Sequence, residues 1–310
     1  MNFKLIFRSA AALALVIGAR AFAATQQDHV EIIGGDTVHP GDPVASSTVL
    51  IVGDISASKQ YICTGSLIAP DMVVTAAHCV ADDIKAPTKP EKIFLVFGLS
   101  VPTSAAQHTP IARAANYVYN PGWKGQAAQG ADEHDIAVIH FDGELPPGYA
   151  PATLLDPNVV LKPGTDVTLA GYGEDTTTGS GNNGAGILRK VSGVPVLKAL
   201  GQTEVVLDQR SGIGACHGDS GGPAFLAVDG KNYLWGVTNR GYPDSAPDNC
   251  IEESVYTRIT AYSDFISKAE DSLRSQKVAE IPSAPRGRQN RTADQALGAA
   301  SDMGIALSAQ

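Results

Sequence analysis

The chain has 310 residues, of which 44% are hydrophobic, 18% charged and 6% aromatic, with 32 glycines and 19 prolines. This balance suits a globular all-β fold with many turns. The net charge is −9, and without residues 1–31, which carry Lys4, Arg8, Arg20, Asp28 and Glu31, it becomes −10; an acidic protein of this kind argues against nucleic acid or an anionic membrane as the main partner.

Residues 1–24 open with Lys4 and Arg8, continue through the apolar run Ala10–Ala19 and end in Ala21-Phe22-Ala23-Ala24. They read as a secretory signal peptide, with an apolar run too short for a transmembrane helix. The expected location is outside the cell, or the periplasm in a bacterium. A short polar stretch, residues 25–31, precedes Ile32-Ile33-Gly34-Gly35. Short β-type runs then follow at Thr48–Val52, Tyr61–Ile68, Met72–Ala76, Ile93–Phe97, Ile111–Tyr119 and Ile136–Phe141. A segment rich in Pro and Asp, Pro146–Pro157, reads as a crossover between two halves. Further runs lie at Asp166–Gly171, Leu188–Leu197, Thr203–Leu207, Pro223–Val228, Tyr233–Thr238 and Val255–Ile259. Six runs on each side are compatible with two barrels or with a sandwich. Between them, Asp175–Gly186 is low in complexity and is expected to be a mobile surface loop. Helical periodicity appears over Thr260–Arg274, where Tyr262, Phe265, Ile266 and Ala269 recur. Residues 271–310 form a polar, Ala-rich tail, expected to be disordered or removed by processing.

Chemistry concentrates in Ala215-Cys216-His217-Gly218-Asp219-Ser220-Gly221-Gly222-Pro223. A serine among glycines suits an exposed hydroxyl nucleophile, because glycine lets the backbone turn its N–H groups toward one point. The pattern also fits the nucleophile elbow of α/β-hydrolases, which needs a histidine downstream of the serine. The seven histidines stand at 29, 39, 78, 108, 134, 140 and 217, so none follows Ser220. A base must come from upstream. The strongest candidate is His78 in Val73-Val74-Thr75-Ala76-Ala77-His78-Cys79, with an acid at Asp135 in His134-Asp135-Ile136-Ala137-Val138. His134 and His217 are close to Asp135 and Ser220 in sequence, but neighbours in an extended chain point opposite ways. His29, His39, His108 and His140 read as surface or loop residues. A subtilisin-like order would place the acid before His78, within an α/β pattern absent from this chain.

T-A-A-H-C, D-I-A-V and G-D-S-G-G-P, in the order His, Asp, Ser, resemble the chymotrypsin-like (trypsin-fold) serine proteases, over about residues 32–270. The resemblance implies an all-β fold of two six-stranded antiparallel β-barrels with a C-terminal α-helix. It implies a triad of His78, Asp135 and Ser220 and an oxyanion hole from the N–H groups of Gly218 and Ser220; the sequence itself shows no phosphate loop and no cofactor site, so no cofactor is expected. Ile32 would become a new N-terminus after cleavage behind Glu31, its ammonium pairing with Asp219. Residues 25–31 would then be an activation propeptide and 32–270 the protease domain. Four cysteines allow three pairings; the resemblance selects Cys63 with Cys79 and Cys216 with Cys250. With no C-x-x-C spacing, a metal site is not expected.

The same resemblance assigns the substrate pocket to Gly214, Gly241 and Ser254, with His217 at the rim. No carboxylate stands at the floor, so Arg or Lys before the scissile bond is not expected, unless Asp244 or Asp248 intrudes. Two glycines suggest apolar or aromatic side chains. Asn239 and Arg240 stand where the family has a Ser and an aromatic residue, and Arg240 adds charge that could receive an acidic side chain. Protein or peptide substrates and protein inhibitors are the implied partners of a monomer. A catalytically silent binding protein on the same fold is the alternative, and an esterase would share the acyl chemistry.

Overall fold

The structure is a computed structural model that describes residues 32–56, 59–101, 109–125, 130–174, 184–243, 250–279 and 308–309. The expected signal peptide and propeptide, most of the expected loop at 175–186, residues Asp244 and Asp248, and most of the tail lie outside these residues.

Runs of β-branched and aliphatic residues such as Thr48-Val49-Leu50-Ile51-Val52 and Ile93-Phe94-Leu95-Val96 suit a pleated, buried surface. They form β2 (Thr48–Ser56), β3 (Lys59–Ala69), β4 (Met72–Thr75), β5 (Ile93–Val96), β6 (Ile111–Tyr119) and β7 (Ala137–Phe141), after a two-residue β1 (Asp36–Thr37). The second half contains β8 (Asp166–Gly171), β9 (Arg189–Leu200), β10 (Glu204–Asp208), β11 (Pro223–Val228), β12 (Lys231–Tyr242) and β13 (Glu253–Arg258). Around the first barrel the order is β2, β3, β4, β7, β6, β5, and β5 pairs back with β2. The second runs β8, β9, β10, β13, β12, β11, and closes the same way. Thus the two closed six-stranded antiparallel barrels share one topology. Closure removes the sandwich left open by strand spacing, and it removes the exposed sheet edges too.

Each barrel has its own apolar core. Val49, Ile51, Leu67, Val73, Leu95, Ile139 and Phe141 belong to the first; Ile32, Val167, Leu169, Val205, Leu207 and Trp235 belong to the second. The Pro146–Pro157 segment crosses between them as expected. Its Ala150 and Ala152 N–H groups bond to Ser46 and Leu67 of the first half, and its Leu155 N–H bonds to Leu234 of the second.

Several boundaries differ from expectation. β2 and β12 run longer, because cross-strand pairing extends ladders past the apolar runs. The expected helix begins with a 3-10 turn at Ile259–Tyr262, and the α-helix itself, α2, spans Ser263–Ala279. Its Ile266, Ala269 and Leu273 sit in the first core, so a helix from the chain's far end covers the opposite barrel. His140, expected at the surface, lies in β7 with 3% exposure, 3.6 Å from Asp71. Ala137–Phe141 is buried at every position, and a histidine in such a strand goes inside with a carboxylate partner. No helix among the described residues is long and apolar enough to cross a membrane.

Candidate active site

His78 begins a single helical turn, α1 (His78–Ala81), that directly follows β4. So short a helix cannot satisfy its own carbonyl groups. Side chains do so instead: the Tyr61 hydroxyl donates to Cys79 O at 2.7 Å, and the Trp123 indole N–H donates to Ala81 O at 2.8 Å. The turn is therefore fixed in place by the surrounding barrel. Asp135, just before β7, is fully buried and receives the His78 backbone N–H at 2.9 Å on Oδ1. Its Oδ2 lies 2.7 Å from His78 Nδ1. Burial works against the imidazolium, but the charge and hydrogen bond of Asp135 override it and hold the His78 pKa above its ordinary value, with Asp82 and Glu133 adding. In the neutral ring the Nδ1 proton faces Asp135, which makes Nε2 the basic nitrogen.

Ser220 is held against this unit from the other barrel. Its carbonyl accepts the Thr64 N–H at 2.8 Å and lies 3.5 Å from Cys79 Sγ. Thr64 Oγ1 donates to Gly218 O at 3.0 Å and accepts the Tyr172 N–H at 3.1 Å. A β-carbon on Gly221 would stand 2.0 Å from Thr75 Oγ1. Together with a φ of 79°, this close approach makes glycine obligatory there.

The orientation of two N–H groups follows from their peptide planes. His217 O accepts the Glu174 N–H at 2.7 Å, and Asp219 O accepts the Gly222 N–H at 2.8 Å. In trans peptides the Gly218 and Ser220 N–H groups point the opposite way. Asp219 turns inward, and its carboxylate receives the N–H groups of Cys216 at 2.9 Å and Gly173 at 2.8 Å. Burial pushes its pKa up to about 7, against those hydrogen bonds and the charge of Arg189. Ile32 is buried in the second core, and Ile33 O accepts the Gly214 N–H at 2.9 Å. The start of the described chain thus runs beside the expected pocket.

Of the expected pocket residues, Gly241 pairs with Ser254 across the ladder, and Gly214 shares a neighbour with Ser254. His217 is partly exposed. Asn239 and Arg240 face elsewhere. The Arg240 guanidinium lies 3.2 Å from Glu133 and 3.2 Å from the buried Glu204, with Gly130 O also accepting from it. It is neither a solvated loop arginine nor a free charge for an acidic substrate. Asn239 donates to Glu204 and to Thr257, whose hydroxyl donates to Asp135 O. Glu204 also accepts the Glu133 N–H, so this network ties the second barrel to the segment carrying Asp135. His134 points away from the site, 2.8 Å from the Tyr262 hydroxyl.

The disulfides are Cys63–Cys79 and Cys216–Cys250, the pairing that the resemblance implied. Two groups of potential metal ligands occur among the described residues, Cys63-His78-Cys79 and Cys216-His217-Cys250. In each, both sulfurs are bonded to one another and no thiolate is available to a metal. Sequence reasoning missed Thr64, Glu204 and Gln209, all buried polar residues at the seam or pocket. Only Thr64 carried any signal, its adjacency to Cys63.

A double barrel of this topology, with a buried His–Asp pair and a glycine-held serine at the seam, has the trypsin fold. The family model described as Trypsin matches residues 32–266, and the chain belongs to the trypsin family of serine proteases. It is 27% identical over 237 residues to a urokinase-type plasminogen activator of Gallus gallus, covering 70% of this chain and 52% of that protein. The chain thus spans about half the length of that relative.

Proposed function

We propose that this chain is an exported serine endopeptidase, made as a precursor and activated by cleavage between Glu31 and Ile32. The observation that carries the reading is the 2.7 Å contact of His78 Nδ1 with the buried Asp135 carboxylate, in a chain of the trypsin family. That contact fixes the tautomer and stabilises the imidazolium, which is what a base acting on a serine hydroxyl requires.

Ser220 Oγ attacks the peptide carbonyl carbon while His78 Nε2 takes its proton. The Gly218 and Ser220 N–H groups receive the developing oxyanion, each contributing a few kcal/mol. His78 then returns the proton to the leaving amine as the C–N bond breaks. Water, deprotonated by His78, hydrolyses the acyl-enzyme and restores the Ser220 hydroxyl. Cleavage frees the Ile32 ammonium to pair with Asp219, whose carboxylate is otherwise costly to bury as a charge. Substrates are proteins or peptides with an apolar side chain before the scissile bond, not Arg or Lys. The pairing of Arg240 with two glutamates removes the support for an acidic preference.

The test is labelling of secreted material with a serine-directed phosphonate, with mass mapping of the label and the N-terminus. Label on Ser220 only in chains beginning at Ile32 is the expected result. Label on the uncut precursor would retain the peptidase and discard the activation step. Absence of label from chains beginning at Ile32 would favour a silent binding protein.

A further inference from the structure

Position 214 is a glycine, yet the space beyond it is filled. A β-carbon on Gly214 would stand 2.2 Å from Gln209 Cδ and 2.4 Å from both Cγ and Oε1. The Gln209 side chain therefore occupies the place a side chain at 214 would take. Gln209 is 2% exposed, and every polar position of its amide is engaged. Nε2 donates to Ala215 O at 3.1 Å and to Cys250 O at 3.0 Å; Oε1 accepts the Ala215 N–H at 2.7 Å and the Ser254 hydroxyl at 2.7 Å. An amide has two donor hydrogens and two acceptor lone pairs. All four are used.

The geometry points to Gln209 as the floor of the substrate pocket and the residue that sets its depth and polarity, an inference that rests on the peptidase reading above. The amide links Ala215 to Ser254 and to Cys250, which joins Cys216 through the disulfide. It thus braces the pocket's own walls. Because its hydrogen-bonding capacity is spent internally, it offers no counter-charge and no spare polar group to a bound side chain. A cation or carboxylate entering there would lose its hydration without compensation. The raised floor also shortens the pocket from the depth that glycines at 214 and 241 suggest. The substrate class is peptides with an uncharged aliphatic side chain of intermediate length, such as Leu or Met, before the scissile bond.

Two measurements test this. Peptide anilides differing only in that residue (Leu, Met, Phe, Lys, Glu) are assayed with the full chain, cleaved before Ile32, and with its Gln209→Ala variant. Leu and Met lead in the parent, and in Gln209→Ala the Phe-to-Leu ratio of kcat/KM rises about tenfold. A ratio unchanged within about twofold, or a parent that prefers Lys or Glu, overturns the proposal.

The second measurement needs no catalysis. Benzamidine, an aryl cation that requires a carboxylate at the floor, is titrated calorimetrically into Ser220→Ala chains carrying Gly214→Asp, with and without Gln209→Ala. Binding requires both substitutions, since Gln209 blocks a side chain at 214; a Gly214→Asp variant that does not fold until Gln209→Ala is added is the same result read by thermal unfolding. Equal binding by Gly214→Asp alone overturns the proposal. Should the parent cleave no peptide, the peptidase reading fails and the titration still decides the floor.

Discussion

The two barrels share a strand order and differ in how they hold their functional residues. The first carries His78 and Asp135 at the end of β4 and the start of β7, strands buried at every position. Its geometry is fixed by the core, with hydroxyl and indole groups closing the short buried helical turn that begins at His78. The second carries Gln209, Gly214 and Ser220 on the long connection between β10 and β11. These are held by a disulfide, by Asp219, by the Gln209 amide and by glycines at Gly218 and Gly221 with φ of 91° and 79°. On the proposed mechanism, one barrel supplies a base through packing and the other a nucleophile through buried polar contacts. Polar contacts depend on charge state and on what else is present, so the proposed activation step acts on the second barrel.

The largest expected effect breaks the packed half. Asp135→Asn keeps the shape of the side chain but removes the charge that raises the His78 pKa. We expect kcat to fall about 10⁴-fold with the fold intact. The sign of the pH effect is also fixed: with less support for the imidazolium, the acid limb of kcat/KM moves to lower pH. A limb that stays in place would show that Asp135 does not control His78. Steady-state kinetics from pH 5 to 9 would read both.

How much of this contrast was legible beforehand follows the same division. His78, Asp135 and Ser220 sit in short motifs whose residue types announce their chemistry, and the alternation of β-type runs around them is strong because those strands are buried. The groups that hold the second barrel's loops are far apart in sequence. Gln209 touches Cys250 and Ser254, Thr64 touches Gly218, and Glu204 touches Glu133 and Arg240. No local pattern links such residues, and a buried Glu or Gln looks like a surface one until the chain closes. Arg240 shows the cost: read alone it is a solvated loop arginine or a charge for an acidic side chain, and only folding brings two carboxylates to it. His140 misled for the same reason, since its partner Asp71 belongs to another strand's turn.

An intermediate effect probes the half held by buried polar contacts. With its pKa near 7, Asp219 of the uncut chain keeps a proton at pH values where the unfolded chain has lost it. Folding stability therefore declines as pH rises from about 4 to about 7, by up to roughly 4 kcal/mol. Asp219→Asn should remove that slope. Cleavage before Ile32 should remove it as well, by giving the carboxylate an ammonium partner, and should do so without changing the residue. Denaturant unfolding of the three proteins across this range separates the effects. Equal slopes in the uncut parent and Asp219→Asn would mean the carboxyl is not the source.

The smallest expected effect lies where the barrels meet. Thr64 belongs to the first barrel, but its hydroxyl donates to Gly218 O and accepts the Tyr172 N–H, both on the second. Thr64→Val preserves shape and leaves the Thr64 N–H bond to Ser220 O in place. It strands one buried acceptor and one buried donor, at a cost of about 1–3 kcal/mol. If the hydroxyl only joins the barrels, stability falls and kcat does not. If it also steadies Gly218 between its two peptides, and with it the Gly218 N–H, kcat falls while KM is nearly unchanged, because the misplaced N–H is needed chiefly as the oxyanion develops. We expect the second outcome, since the carbonyl it grips belongs to Gly218 itself, one residue's φ and ψ away from the peptide that carries that donor, and a glycine alone holds those angles weakly. A kcat equal to the parent's would assign Thr64 to assembly alone and leave the Gly218 N–H aimed by the second barrel's own contacts, His217 to Glu174 foremost.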